Sequence, residues 1–177
     1  MDVFQAIVER RSCRNFKKAS IPREDLVRIV DAARLAPSGA NAQKWTFVVT
    51  TDSDTVERIR SALPHGKKYY PTFEDGEFEN VSAIISLVFP ANYRYYREDG
   101  GAAMENIYLA ARALGYGTCW VQGQLQAPMG TLVRILAIPD DHVLFAMAML
   151  GVPKAWPKEP PKKHLQEVLR WERFDAF

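Results

Sequence analysis

Arg10, Arg11, Ser12 and Arg14 stand together near the start of the chain and combine guanidinium groups with a hydroxyl. Guanidinium forks match the oxygens of a phosphate, so the cluster reads as an anion site. The competing reading is a solvated charged face, which short basic clusters often are. A second stretch, Pro37-Ser38-Gly39-Ala40-Asn41-Ala42-Gln43, offers small side chains, a hydroxyl and two amides. Such a loop can lay its backbone against a flat ring while the amides match a heterocycle's donors and acceptors. It is also what a helix stop followed by a turn looks like. Trp45, just beyond, reads as core rather than as a stacking partner.

Further along, Gly115-Tyr116-Gly117 lacks the third glycine of a dinucleotide fingerprint and follows a helix rather than a strand, which argues against a Rossmann site. Gly115 is accounted for as a helix stop. Val121-Gln122-Gly123, at the end of the next strand, is better placed to offer backbone N–H groups to a ligand. Lys162 and Lys163 form a second basic pair, which in a charged tail is often simply solvated. No GxSxG elbow, P-loop or HExxH motif is present, and His65, His142 and His164 share no ligand spacing. Cys13 and Cys119 belong to no metal or disulfide pattern, and Cys119 reads as a buried small residue. Chemistry carried by a protein nucleophile or a metal is therefore not what these residues suggest.

The elements that must hold these groups follow from periodicity. Asp2 caps a short helix with Phe4, Ile7 and Val8 on one face, and a polar loop runs from Arg11 to Ser20. Pro22 opens a helix whose inner face is Leu26, Ile29, Val30 and Ala33, stopped by Pro37 and Gly39. Trp45 to Thr50 is a strand, and Val56, Ile59 and Leu63 mark a third helix. Pro64 to Glu79 has no clear period and reads as a long loop or cover, in which Tyr69, Tyr70, Phe73 and Phe78 are candidate walls of an acceptor pocket or an ordinary packed loop. Ala83 to Phe89 is a strand buried on both faces. Met104, Ile107, Tyr108 and Ala111 stripe a helix ended by Gly115, whose alanines permit close approach of another helix. Thr118 to Val121 and Val143 to Leu150 are strands, and Leu132, Val133 and Leu136 mark the helix between them. Prolines 153, 157, 160 and 161 forbid regular structure, and the Leu165 to Trp171 tail is free to extend along another surface.

The 177 residues suffice for one sizeable core and are short for two domains, so a single domain over 1–177 is expected. The charge of +2, from 23 basic against 21 acidic side chains, gives no case for nucleic acid or an anionic membrane as the main partner. No signal-peptide pattern precedes the first helix, and the longest apolar run, around Val143 to Val152, is too short to cross a bilayer. A reduced, cytoplasmic setting is expected.

Taken in order, Arg10-Arg11-Ser12-x-Arg14, Pro37-Ser38-Gly39-Ala40-Asn41-x-Gln43-x-Trp45, Glu105-Asn106 through Gly115-x-Gly117-Thr118-Cys119-Trp120, and Gly151-x-Pro153 followed by Lys162-Lys163 resemble the nitroreductase family of FMN enzymes. The resemblance runs almost end to end. It implies an α+β fold with a central, mainly antiparallel sheet flanked by helices, where strand–helix alternation alone suggests a parallel one. It also implies an intertwined homodimer with FMN at the interface, the tail from about residue 160 to 177 extending onto the partner. By the same resemblance, Arg10, Arg11, Ser12 and Arg14 hold the phosphate and ribityl chain, with Arg14 near the pyrimidine edge. Pro37, Ser38, Gly39, Asn41 and Gln43 approach the ring, Ser38, Gly39 and Asn41 from the other subunit. Val121, Gln122 and Gly123 face its N5 edge, and Lys162 and Lys163 close over the phosphate. Two departures stand out: His164 replaces the proline that often follows the basic pair, leaving open which lysine reaches the phosphate. In addition, Glu74 to Asn80 is acidic where some members carry an Asn and a Lys.

The implied activity is ping-pong hydride transfer from NAD(P)H through FMN to an electron-poor acceptor such as a nitroaromatic or quinone, with the flavin bearing the chemistry and no protein group acting as catalyst. Reductive dehalogenases, flavin-destroying enzymes and heterocycle dehydrogenases share the fold and remain alternatives. So do a flavin carrier or sensor without turnover and, more remotely, a helix-rich interaction module.

Overall fold

The computed structural model describes residues 1–64 and 76–175. Its elements run α1 (Val3–Glu9), α2 (Arg23–Arg34), β1 (Thr46–Thr50), α3 (Ser53–Ala62), β2 (Ala83–Pro90), α4 (Tyr96–Ala113), β3 (Gly117–Val121), α5 (Met129–Ile135), β4 (His142–Gly151) and α6 (Leu165–Val168). The strands form one sheet in the order β1-β2-β4-β3, and every neighbouring pair is antiparallel. The fold is α+β, as the family resemblance implies and as simple alternation of strands and helices does not.

The central strands β2 and β4 are buried along nearly their whole length because helices cover both faces. Ile85, Leu87 and Phe89 of β2 meet α2 and α4, whereas Ile84 and Val88 meet α3 and α5. The alternation breaks once. Leu87 pairs with Ala146 and Val88 with Leu144, so β4 bulges at Phe145, and Phe145 and Ala146 both turn toward α4. Gly100 makes room for that ring, since a Cβ there would lie 2.5 Å from Phe145. The alanines of α4 serve close packing inside the domain, where Ala103 and Ala111 are buried in the same cluster as Leu26, Ile29 and Ala33 of α2.

Helix ends follow local chemistry. The Asp2 carboxylate accepts the Gln5 N–H at 2.9 Å, Asp52 does the same for Thr55 at 2.9 Å, and Gly115 leaves α4 at a φ of 88°. The apolar face of α1 is the exception to burial. Phe4 is 77% exposed, with Ile7 and Val8 also uncovered, and Ala6 alone is inside. Among the described residues no helix is long and apolar enough to cross a membrane.

Candidate functional site

The arginine-bearing loop is fixed by its apolar members. Beyond α1 the chain turns extended, Cys13 N–H donates to the Thr118 carbonyl at 2.7 Å, and Lys17 N–H to that of Val152 at 2.8 Å. Lys154 N–H returns a bond to the Asn15 carbonyl at 3.0 Å. Cys13 and Phe16 are buried plugs against the sheet, at 1% and 0% exposure, while Ser12 and Arg14 between and beside them keep access to the surface. This approach needs glycine at two positions: a Cβ on Gly117 would stand 2.7 Å from that of Cys13, and one on Gly151 2.6 Å from the Phe16 ring. Burial pushes both nearby thiols up, that of Cys119 to about 11, so neither behaves as a nucleophile.

Arg10, Arg11, Ser12 and Arg14 line one cavity of about 710 Å³, together with Lys158 and Lys162 from the far end of the chain. Five cationic side chains there face two carboxylates, Glu105 and Glu159, so the cavity carries a positive balance in a chain that is nearly neutral overall. Arg10 is steadied by Glu105 at 3.7 Å and lies over the Tyr108 ring at 5.7 Å. Arg11 Nη1 donates to the carbonyls of Val8 and Arg10 at 2.6 and 2.8 Å, which ties it to the C-terminal turn of α1, and Nη2 is 3.5 Å from Glu159. Lys162 is a wall of this cavity and Lys163 is not among its lining residues. The charge, the hydroxyl and the size of the cavity fit a phosphorylated cofactor such as FMN.

The loop from Pro37 to Gln43 is a separate structure. Buried Asp99, at the start of α4, accepts the Gly39 N–H at 3.0 Å and the Tyr93 hydroxyl at 2.6 Å. That bond holds the Tyr93 proton, pushing its phenol up to about 12. Gly39 lies against the Tyr95 ring with no room for a Cβ, and Ala40, Asn41 and Gln43 take left-handed backbone angles. Ser38 Oγ accepts the Gln43 N–H at 3.1 Å, and Gln43 Nε2 donates to Asn41 Oδ1 at 3.1 Å. The loop is thus pinned in an unusual shape with its amides outward, and none of its residues, Pro37 included, lines the arginine cavity.

Val121 ends β3 inside the core, and Gln122 and Gly123 emerge at the surface, the latter opening a 3-10 turn with free space around it. At about 3.3 Å per strand residue, Val121 lies about 10 Å along β3 from Thr118, where the arginine loop docks, and Gln122 and Gly123 follow just beyond the strand end. The expected aromatic cover divides. Tyr69, Tyr70 and Phe73 lie outside the described residues, and Phe78 follows the packed-loop alternative in place of the pocket wall: it is 1% exposed, inside the core that includes Ile84 and Val88. A ring this large is more stable packed under the sheet than beside solvent. Trp45 is half-buried against the core, as expected of a packing residue. Residues the sequence reading did not single out include Asp99, Glu77, Lys158 and Glu159, since Gly39, Arg14 and the arginine cavity that they meet are distant from them in sequence. Among the described residues no cluster of His, Cys, Asp and Glu is arranged to hold a metal ion.

Comparison with known proteins then bears on this arrangement. The profile of the nitroreductase family matches residues 7–75 and 89–152. A protein of Archaeoglobus fulgidus, provisionally named an NADH dehydrogenase/NAD(P)H nitroreductase, is 33% identical over 159 residues, covering 86% of each chain. An iodotyrosine deiodinase of Haliscomenobacter hydrossis is 27% identical over 179 residues, covering 86% of this chain and 79% of its own. A provisionally named nitroreductase of Desulfovibrio desulfuricans, solved in complex with FMN, superposes with a TM-score of 0.81 at 27% identity, covering 98% of both chains.

Proposed function

This chain belongs to the nitroreductase family, and we propose that it is an FMN-dependent oxidoreductase passing reducing equivalents from NAD(P)H to an electron-poor small molecule such as a nitroaromatic or a quinone. The observation that carries the reading is the cationic cavity built from both ends of the chain, Arg10 to Arg14 and Lys162. When bound there, FMN supplies the redox chemistry, alternately accepting and delivering a hydride equivalent in a ping-pong cycle.

The protein's own groups bind and orient. Arg10, Arg11, Ser12 and Lys162 take the phosphate, with the Glu105 and Tyr108 contacts to Arg10 holding its guanidinium in place beforehand. Lys163 is a bystander that adds charge. Arg14 would meet the pyrimidine side of the bound flavin, where its positive charge would favour the reduced form. Backbone N–H groups of Gln122 and Gly123 would serve its N5 edge. Ser38, Gly39 and Asn41 would come onto the ring from a second copy of the chain, with Pro37 setting the turn and Gln43 bracing Asn41, a reading supported by their standing apart from the arginine cavity in one copy. The working unit on this reading is a homodimer, with the tail from about residue 160 lying on the partner.

The test is the visible spectrum of FMN-loaded protein titrated anaerobically with NADPH and then NADH, followed by addition of an acceptor. Bleaching by either nucleotide and recovery of the band with a nitroaromatic or a quinone is the expected result. A band that persists with both nucleotides would leave a flavin-binding protein without this turnover. The deiodinase relative favours a halogenated phenol as the second acceptor to try.

A further inference from the structure

We infer that Glu77 is a positioning residue for Arg14 and sets how far the site favours reduced over oxidised flavin, an inference that rests on the FMN reading above.

Glu77 lies in the turn that leads into β2 and is 5% exposed. Its Oε1 is 3.9 Å from Arg14 Nε, so the carboxylate's negative charge stands directly behind that guanidinium. The backbone repeats the pairing one residue later, where Phe78 N–H donates to the Arg14 carbonyl at 2.9 Å. Phe78 takes a left-handed φ of 64°, a conformation a bulky residue avoids, and its fully buried ring holds it there. Asn80 Nδ2 adds a longer contact of 3.5 Å to the Phe16 carbonyl. The turn therefore clamps the arginine loop by backbone and side chain together.

Arg14 borders both the cationic cavity and a second cavity of about 710 Å³ that is lined in part by Gly76, Glu79 and Trp156. Its charge reaches the flavin site already partly balanced by the carboxylate behind it. The two charges act in opposite senses on a third group, Cys119, whose thiol is raised chiefly by burial, lowered by Arg14 and raised by Glu77. A ring that gains negative charge on reduction is subject to the same pair.

The experiment measures the midpoint potential of bound FMN in wild type, Glu77→Gln, Glu77→Asp, Arg14→Gln and the double variant Arg14→Gln/Glu77→Gln, with thermal melts alongside. Removing this carboxylate takes one negative charge from beside Arg14, so Glu77→Gln is expected to improve affinity for reduced over oxidised flavin about tenfold, a positive shift of about 30 mV for a two-electron couple. Glu77→Asp keeps the charge and stays close to wild type. Because the carboxylate acts through Arg14, adding Glu77→Gln to Arg14→Gln shifts the potential less than adding it to wild type. An unchanged potential in Glu77→Gln overturns the inference, and so does an equal shift in both backgrounds. Should Glu77→Gln not fold, a shift of about 30 mV or more between Arg14→Gln and the double variant overturns it by itself, because the carboxylate then acts without Arg14. Wild-type protein that takes up no FMN would instead refute the flavin reading, and this inference with it.

Discussion

Asp99 concentrates more of the site's geometry than any other single side chain. It satisfies a backbone donor of the Gly39 loop and the Tyr93 hydroxyl while itself buried at 4% exposure. Replacing it by alanine leaves both part-buried donors without their acceptor, and loss of the charge-assisted bond to the Gly39 N–H alone is expected to cost Asp99→Ala about 1.5–3 kcal/mol in denaturant unfolding. The same bond fixes a pH dependence. Tyr93 ionises near 12 instead of 10, so the folded state favours the protonated phenol. The contribution is complete below pH 10 and is lost as pH rises toward 12, when a phenolate would face the carboxylate. Ultraviolet titration of the tyrosines should lose one late-ionising group in Tyr93→Phe; an unaltered titration curve would contradict the assignment. The basic pair near the C-terminus divides at this scale too. Lys162 borders the cationic cavity and Lys163 does not, so Lys162→Ala is expected to weaken FMN binding about tenfold, the size of one charge-assisted bond, and Lys163→Ala by much less. Equal losses in fluorescence titrations would reverse that distinction.

Among the elements, the least conspicuous supplies most of the candidate site's positive charge: a loop without regular structure that lies flat on the sheet because two glycines let it. Gly151→Ala would drive a Cβ to 2.6 Å from the buried Phe16 ring, backed by its own strand on one side and the loop on the other. Overpacking of this kind costs typically 1–3 kcal/mol. Because Arg14 lies two residues before Phe16, the expected outcome is lower stability together with weaker FMN binding; a loss of stability with flavin affinity intact would show the arginines to be independent of this docking. The positions of helices and strands were legible in the sequence because each follows from a period: Leu26, Ile29 and Ala33 on α2, the unbroken apolar run of β2, and the stop at Gly115. Arg10 to Arg14 and the Pro37 to Gln43 stretch were legible as site candidates because their chemistry is local. The bulge at Phe145, the burial of Phe78 and the pairings Asp99–Gly39 and Glu77–Arg14 were not, since each joins residues about 50 or more positions apart or depends on which neighbour a strand has. The antiparallel sheet was legible through the family resemblance and not through periodicity, which finds strands and says nothing of their order.

The whole molecule leaves uncovered what a lone globule would bury. Phe4, Ile7 and Val8 line one side of α1 in solvent, and the tail carries Leu165, Val168, Trp171 and Phe174, the last two 69% and 93% exposed. Beside the sheet edge at β1 lies a largely apolar groove of about 740 Å³ between α2 and β1, with Val27 and Val49 open at its sides. Exposed apolar surface in several patches, with β1 at the edge of the sheet, supports the homodimer proposed above. Aromatic anchors contribute most to such contacts, at 2 kcal/mol or more each, so a Trp171→Ala/Phe174→Ala variant is expected to raise the dimer dissociation constant by at least tenfold in sedimentation equilibrium. The consequence for function is sharper than the change in mass. Pro37 to Gln43 and the arginine cavity are apart in one copy, so if a second copy brings them together, dilution of the variant below its dissociation constant must release FMN in step with dissociation. FMN held with undiminished affinity by a monomer would mean that one chain contains a complete site, and that the pinned Gly39 loop serves some purpose other than the flavin ring.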